Sequence, residues 1–387
     1  MKMNKILVTG GAGYIGSHTV SELVRQGFPV VVLDDLRSGY KQLLPAEVLV
    51  EEVSLEDKDK VFEVFKKHQP DAVIDFAAYL AVGESMIEPE KYFQNNVSNF
   101  INILDAMIAF GCKCIVKSST AAVYGNPTKE SDVPWRETST ESYKPEISAL
   151  LEGNWGTEKI SGEAFMQKFI AKYEEITENR PGLELNDVDI YKLRIPLSIY
   201  GLSKLIDEII LEKYNKLSGT KYVAFRYFNV CGADSQGRTG DSKPKPTNLM
   251  SLAILSAQGK IPELSIFGKD YPTKDGTGVR DYIHPSDLAT AHVAALDYLG
   301  KDNHSDIFNL ARGQGSTVFE VIKAVELASG KQVKYKIEER RAGDASISIA
   351  DPSKAEKALE WKAKYNLSDM AKTAWSWEDN FKKKILK

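Results

Sequence analysis

The stretch Tyr200-Gly-Leu-Ser-Lys204 sets a phenol and an ammonium four residues apart, in a run of helix formers that follows Pro196. At that spacing both side chains share one face of a helix. An unperturbed tyrosine gives up its proton near pH ~10, so a basic role at neutral pH needs a positive charge beside it. Lys204 is the candidate for that charge. A second Tyr-Gly pair at Tyr124 is less suited, because Pro127 interrupts any helix through it and Lys129 lies five positions on. By itself Tyr-x-x-x-Lys is a common helix pair, and its weight comes from what accompanies it.

One companion is the run Ser118, Ser119, Thr120 at the end of an apolar strand, "CIVKSS". Parallel sheets present functional residues at the carboxyl ends of their strands, where a hydroxyl can hydrogen-bond a reacting oxygen. The other is "ILVTGGAGYIG", which puts Gly10, Gly11, Gly13 and Gly16 directly after a strand and at the start of a helix. Such a turn lets the backbone approach a pyrophosphate, which the free N–H groups and dipole of the helix N-terminus then bind. The next strand, "VVVLDD", ends in Asp34. A carboxylate there accepts the adenosine ribose hydroxyls and repels a 2′-phosphate, favouring NAD over NADP.

These groups need a scaffold, and the first half of the chain supplies its rhythm. Short apolar runs alternate with amphipathic helices near Gly16–Gln26 and Asp57–His68, which predicts an α/β fold with a doubly wound parallel sheet of the Rossmann kind. A helix over about Glu90–Phe110 carries Phe93, Val97, Ile101, Leu104 and Ile108 in one stripe, with Phe100, Ile103 and Met107 beside it, and so predicts burial of more than one side. Beyond Cys231 the texture turns to glycine and proline punctuation, which places a boundary between residues 1–230 and 231–387. A segment from Glu137 to Leu193 interrupts the rhythm; it holds a helix over about Glu158–Ile176 with Phe165, Phe169, Tyr173 and Ile176 on one face.

Bulk composition narrows the function further. Lys and Arg number 50 against 54 Asp and Glu, a net charge of −4 in 387 residues, which leaves no electrostatic footprint for nucleic acid or anionic lipid. Cys112, Cys114 and Cys231 form neither a disulfide framework nor zinc-ligand spacing and read as buried thiols. No apolar run reaches the ~18 residues of a membrane span, and strand-like sequence from Lys5 leaves no room for a signal peptide. A cytoplasmic enzyme or binding protein without a metal is expected. His284 reads as structural, and His18, His68, His292 and His304 show no ligand spacing.

Beyond the glycine turn and the Tyr/Lys pair, the motifs "AVGES", "NNV", "RYFNVCGA", "NLM", "IFGKDYPTKDGTGVRDYIHPSDLA", "FNLARG" and "RRAGD" recur along nearly the whole chain outside 137–193. In these the sequence resembles the extended short-chain dehydrogenase/reductase family, in its nucleotide-sugar epimerase branch. The resemblance implies a tightly bound NAD and 4-epimerisation of UDP-glucose and UDP-galactose through a transient 4-keto sugar. Tyr200 is then the base, Lys204 and the positive nicotinamide depress its pKa, and Thr120 holds the 4-oxygen. Around the cofactor it implies Gly10, Gly13, Tyr14, Ile15, Gly16, Asp34, Asp35, Ser54, Asn95 and Ser118, together with Tyr200 and Lys204. Around a UDP-sugar held by the smaller mixed α/β domain it implies Asn229, Asn248, Phe267, Arg280, Arg341 and Asp344, and it makes Phe308 a size gate against N-acetyl sugars. A homodimer paired through the Glu90–Phe110 helix and the helix after Tyr200 is also implied.

The sequence departs from the family pattern in three places. Leu80 stands where a lysine is common, and Ser54 replaces an aspartate at the adenine amino group. The third is the 137–193 segment, expected as a surface pad rather than a lid. The 4,6-dehydratases of the same scaffold carry an acidic pair after the Ser/Thr position, whereas here Ala121 and Ala122 follow Thr120 and neither can donate a proton. A decarboxylase acting on a uronic acid stays open on local chemistry.

Overall fold

Ile6–Thr9 is an apolar, β-branched run that forms β1, wholly buried as a central parallel strand must be. In the computed structural model, residues 3–125, 127, 132–140, 196, 198–301, 304–341 and 344–386 are described. The helix expected at Glu158–Ile176 lies outside them. From β1 the chain runs through α1 (Tyr14–Arg25), β2 (Val30–Leu33), β3 (Leu49–Glu51), α2 (Lys58–His68), β4 (Ala72–Asp75), α3 (Asn99–Phe110), β5 (Cys114–Thr120), α4 (Ile199–Ser218), β6 (Lys221–Tyr227) and β7 (Asn229–Val230). It continues through α5 (Leu249–Ala257), β8 (Leu264–Phe267), β9 (Val279–Ile283), α6 (Pro285–Gly300), β10 (Asp306–Leu310), β11 (Gly315–Thr317), α7 (Val318–Ser329), β12 (Tyr335–Glu338), β13 (Ile347–Ser348) and α8 (Leu367–Ser376).

Seven of the strands make one parallel sheet in the order β10-β6-β5-β4-β1-β2-β3, the doubly wound arrangement that the alternation predicts. Its two faces carry separate apolar layers. Helices α2, α3 and α4 cover one through Val61, Phe65, Phe100, Leu104, Leu205 and Ile209, and α1 and α6 cover the other through Val20, Leu23, Leu288 and Leu296. The edge strand β10 pairs in parallel with β6, Phe308 opposite Phe225. The sheet therefore draws a strand and the covering helix α6 from beyond Cys231, and the boundary expected there does not separate the two layers of structure. Cysteines 112, 114 and 231 are free and buried.

The expected Glu90–Phe110 helix is interrupted. Pro89–Tyr92 is α-helical, Phe93–Ser98 winds as a π-turn, and α3 begins only at Asn99. A π-turn inserts an extra residue and turns side chains that strict helical spacing would aim elsewhere. Phe100, Ile103, Leu104 and Met107 are buried, while Ile108 is left 49 % exposed.

The smaller part of the molecule is built on β11-β9-β13, with β7 beside β9, and on the parallel pair β12-β8. Asp281 on β9 ties its loops down by accepting the N–H groups of Arg312 at 3.0 Å, Gly313 at 2.9 Å and Ala350 at 3.4 Å. Asp281→Ala leaves three donors without their partner. Chemical unfolding is expected to show a loss of about 2–4 kcal/mol, and a loss below about 0.5 kcal/mol would remove Asp281 from this role. The first residues of the interrupting segment, Glu137–Thr140, are fastened to the main sheet by Arg226. Its guanidinium donates to Glu208 at 2.6 and 2.9 Å, to the Thr140 hydroxyl at 3.0 Å and to the Glu137 carbonyl at 3.1 Å.

Candidate active site

The turn between β1 and α1 has no room for side chains. Gly10 takes φ +64°, and a Cβ there would lie 2.8 Å from the Ala77 amide nitrogen; at Gly16 it would lie 2.3 Å from the Gly10 carbonyl oxygen. Helix α1 starts from Gly13 in extended conformation, with no capping side chain and no acidic residue in its first turn. Its leading N–H groups thus face the cleft with nothing of the helix's own to satisfy them, which suits an anion. Directly after β2 the buried Asp34 accepts the Ala12 and Leu36 N–H groups, each at 2.9 Å. Burial pushes its carboxyl up, and those two bonds oppose the rise.

A cleft of about 390 Å3 opens from this turn along the carboxyl ends of the strands. Gly10, Gly13, Tyr14, Ile15, Gly16, Asp34, Asp35, Ser54, Asn95, Ser118, Thr120, Tyr200, Lys204 and Asn248 all line it. Leu80 lines it as well and is 48 % exposed, so the missing lysine leaves an apolar side chain at the wall.

Helix α4 delivers Tyr200 to the floor of the cleft. Ser198 caps it by accepting the Gly201 N–H at 3.0 Å. Gly201 then lies so close to the turn after β5 that a Cβ would stand 2.6 Å from the Ala122 carbonyl oxygen. That contact explains the glycine of the Tyr-Gly pair, since it lets the helix start abut the strand end bearing Thr120. Thr120, at that strand end, favours the ionised form of the Tyr200 phenol.

Burial pushes the Tyr200 phenol up to about 12, against the lowering effects of Thr120 and of the Lys117 ammonium. Lys204 is not among the groups that lower it. Lys204 directs its Nζ at the Ser118 carbonyl, 3.0 Å away, with Ser118 Oγ at 3.5 Å. Burial, reinforced by repulsion from Lys117, lowers Lys204 to about 7. Lys117, buried within the otherwise apolar β5, is a cation that does lower the phenol.

Tyr124 is a structural residue: it donates to Asn309 Oδ1 at 2.6 Å and stacks on Trp135 at 5.1 Å between ring centres. Phe308 is not a gate. It is 0 % exposed on the α6 side of the sheet, with Phe225 and Tyr298 at 6.3 and 5.7 Å between ring centres. Strand alternation sends Phe308 to one face and Asn309 to the other, and the discrimination against N-acetyl sugars loses its basis.

Arg280, Phe267, Arg341 and Asp344 form a second group outside that lining. Arg341 bonds Asp344 at 3.0 Å and lies over the Phe267 ring at 4.4 Å; Arg280 approaches Asp344 to 4.0 Å. Asn229 is exposed on β7, between the cleft-lining residues Phe228 and Val230. His284 caps α6 and stacks on Tyr365 at 4.0 Å, a structural role. Asn96 escaped notice beside Asn95. It brackets Tyr79, accepting the N–H at 2.8 Å and donating to the carbonyl at 3.1 Å, and also donates to Ser203 Oγ at 3.1 Å. It thereby fixes the cleft wall to α4, and the "NNV" run was its only trace in the sequence.

A doubly wound sheet with a glycine turn at β1 and a Tyr/Lys pair on the helix beside β5 defines a short-chain dehydrogenase/reductase. Residues 6–181 match the NAD dependent epimerase/dehydratase family and residues 191–374 the GDP-mannose 4,6 dehydratase family. The chain is 39 % identical over 384 residues to the UDP-glucose 4-epimerase of Bacillus subtilis (strain 168), with 97 % of each covered. A UDP-glucose 4-epimerase from Stenotrophomonas maltophila, solved with bound NAD and formylated UDP-arabinopyranose, superposes with a TM-score of 0.79 at 35 % identity, covering 97 % of this chain and 98 % of that one. One from Bifidobacterium longum, in complex with NAD+ and UDP, gives 0.76 at 33 % identity with the same coverage. The chain belongs to the UDP-glucose 4-epimerase family of NAD-dependent isomerases.

Proposed function

We propose that this chain interconverts UDP-glucose and UDP-galactose by inverting C4 of the sugar, with Tyr200 as the base and NAD held in the cleft. The observation that carries the reading is convergence: Tyr200, Thr120 and Lys204 line the same cleft that the glycine turn opens. The residues fit the cofactor. The turn is too tight for any Cβ at Gly10 or Gly16, the α1 N-terminus is uncapped, and Asp34 lines the cleft at the end of β2. Gly10, Gly13, Tyr14, Ile15 and Gly16 would hold the pyrophosphate, Asp34 and Asp35 the adenosine ribose, and Ser54 the adenine, with Asn95, Ser118 and Lys204 nearer the reacting end.

When bound, NAD would supply the acceptor, and afterwards the donor, for a hydride at C4. The chain's own residues manage the proton. Thr120 hydrogen-bonds the 4-oxygen and holds it at the phenol. Tyr200 takes the hydroxyl proton as the 4-keto sugar forms, then returns that same proton after the sugar has turned. A buried phenol near 12 is a poor base alone, so positive charge placed against it is needed to bring it into range. Ala121 and Ala122 leave the positions after Thr120 without an acid, so the chain has no group there to expel water as a dehydratase does.

On the substrate side, Arg280 and Arg341 suit a diphosphate because planar guanidinium donors pair with two oxygens at once. Asp344, Phe267, Asn229 and Asn248 would complete the nucleotide and sugar contacts, which gives the smaller part of the molecule its role as the UDP-sugar side. A homodimer is in keeping with Ile108, a large apolar side chain left 49 % exposed on α3. Three free buried thiols accord with the cytoplasm. Among the described residues no helix is long and apolar enough to cross a membrane.

Purified protein given UDP-galactose without added NAD is expected to yield UDP-glucose. No interconversion, even with NAD supplied, would sink the reading. Gly16→Ala is expected to strip the protein of bound NAD, weakening it by about tenfold or more, equivalent to about 1.4 kcal/mol. Full NAD content in that variant, measured after denaturing release, would contradict the placement of the pyrophosphate.

A further inference from the structure

Lys117 stands on β5 immediately before Ser118 and is 0 % exposed. Its Nζ lies 2.5 Å from Asp75 Oδ2 on β4, 3.1 Å from Asp207 Oδ2 on α4, and 3.9 Å from the centre of the Phe100 ring on α3. Asp207 Oδ2 in turn lies 3.9 Å from the Lys204 Nζ. Thr9 on β1 donates its hydroxyl to Asp75 Oδ1, which also accepts the Ala77 N–H at 3.1 Å. Two ammonium groups and two carboxylates thus run unbroken from β4, past β5, to the catalytic helix, each 0–1 % exposed.

Stability does not account for such a line. Buried ion pairs are often no better than apolar side chains of the same volume, because desolvation cancels the attraction. Asp207 is the telling member: neither carboxylate oxygen accepts a well-directed hydrogen bond, so it is held by charge alone. It sits seven positions after Tyr200 on α4, two helical turns below the phenol.

We propose that Lys117 is a positioning residue for the reaction: an ammonium fixed by Asp75 and Asp207 whose field lowers the cost of the Tyr200 phenolate, with Asp207 acting in the opposite sense. This rests on the reading that Tyr200 is the base. The groups that bear on the phenol are Lys117 from β5, with Thr120 beside it, and Asp207 from α4; the phenol in turn raises Tyr227 on β6 and Tyr92 at the end of the helical Pro89–Tyr92. Lys117 is the cation in that set, while Lys204, one turn from Tyr200 on α4, directs its ammonium at the Ser118 carbonyl. Burial also raises Asp207 to about 6, while Lys117 draws it down. Lys117 itself is held above its ordinary value by the two carboxylates despite burial, so it keeps its charge across the working range.

The test is a pair of variants with opposite expected signs, read in the NAD-loaded enzyme by two measurements. One is the pH at which kcat falls on the acid side. The other is the ultraviolet difference titration of the Tyr200 phenolate, obtained by subtracting Tyr200→Phe. Lys117→Met removes the cation and is expected to move both upward by about one pH unit; Asp207→Asn removes the anion and is expected to move both downward. Should Lys117→Met fail to fold with Asp75 left unpaired, Lys117→Met combined with Asp75→Asn removes both members and is expected to keep the upward shift. A fall in kcat with no movement of either titration, or movement of both variants in one direction, would overturn the proposal. Retained activity in Tyr200→Phe would instead remove the reading beneath it.

Discussion

Tyr200→Phe is expected to lower turnover of UDP-galactose by about 10³-fold or more, within the range of a lost general base, while bound NAD and the unfolding midpoint stay as they were. The change deletes one oxygen from a ring that is already 9 % exposed and packed at the cleft floor. Neither Tyr124 nor Lys204 is placed to replace it. Tyr124 is committed to Asn309 and Trp135, and the Lys204 ammonium is committed to the Ser118 carbonyl. A variant that kept a tenth of the activity would show that the proton leaves by another route, and the role given to Thr120 would fall with it.

Gly201→Ala carries the second largest expected effect, though residue 201 touches no substrate. Its new methyl would meet the Ala122 carbonyl oxygen at 2.6 Å and the carbonyl carbon at 3.0 Å, both backbone atoms that no rotamer change can move. The start of α4 must then retreat from the turn after β5, carrying Tyr200 away from Thr120. A misplacement near 1 Å costs about 10²-fold in rate. The glycine turn at β1 is untouched, so NAD content is expected to remain full while kcat falls. Unchanged kcat would mean that the approach of α4 to Ala122 is not what seats the phenol.

The parts of this molecule legible in its sequence are those in which one local demand fixes one residue type. Gly10, Gly11 and Gly16 after β1 are forced by contacts of 2.3–2.8 Å, and the alternation of apolar runs with amphipathic helices reports a sheet covered on both faces. The parts that were not legible depend on what lies opposite. Phe308 occupies a motif position that invites a role, yet which face of β10 it takes is set by pairing with β6. The break in the Glu90–Phe110 helix leaves no proline or glycine within Phe93–Ser98 to mark it. Lys117 looked like the polar end of an apolar strand, because its partners Asp75 and Asp207 lie 42 and 90 positions away and only the sheet brings them together. The boundary at Cys231 followed a real change in texture, but β10 and α6 cross it because the seven-stranded sheet needs its last strand.

The central claim is that one carbon of the sugar loses and regains its own hydrogen while Tyr200 handles only the hydroxyl proton. UDP-galactose carrying deuterium at C4, turned over by the wild-type enzyme in ordinary water, tests this directly. The deuterium is expected to remain at C4 of the UDP-glucose formed, with no solvent hydrogen at that carbon. Replacement of the label by solvent hydrogen would mean that C4 is deprotonated rather than oxidised, and would contradict the account.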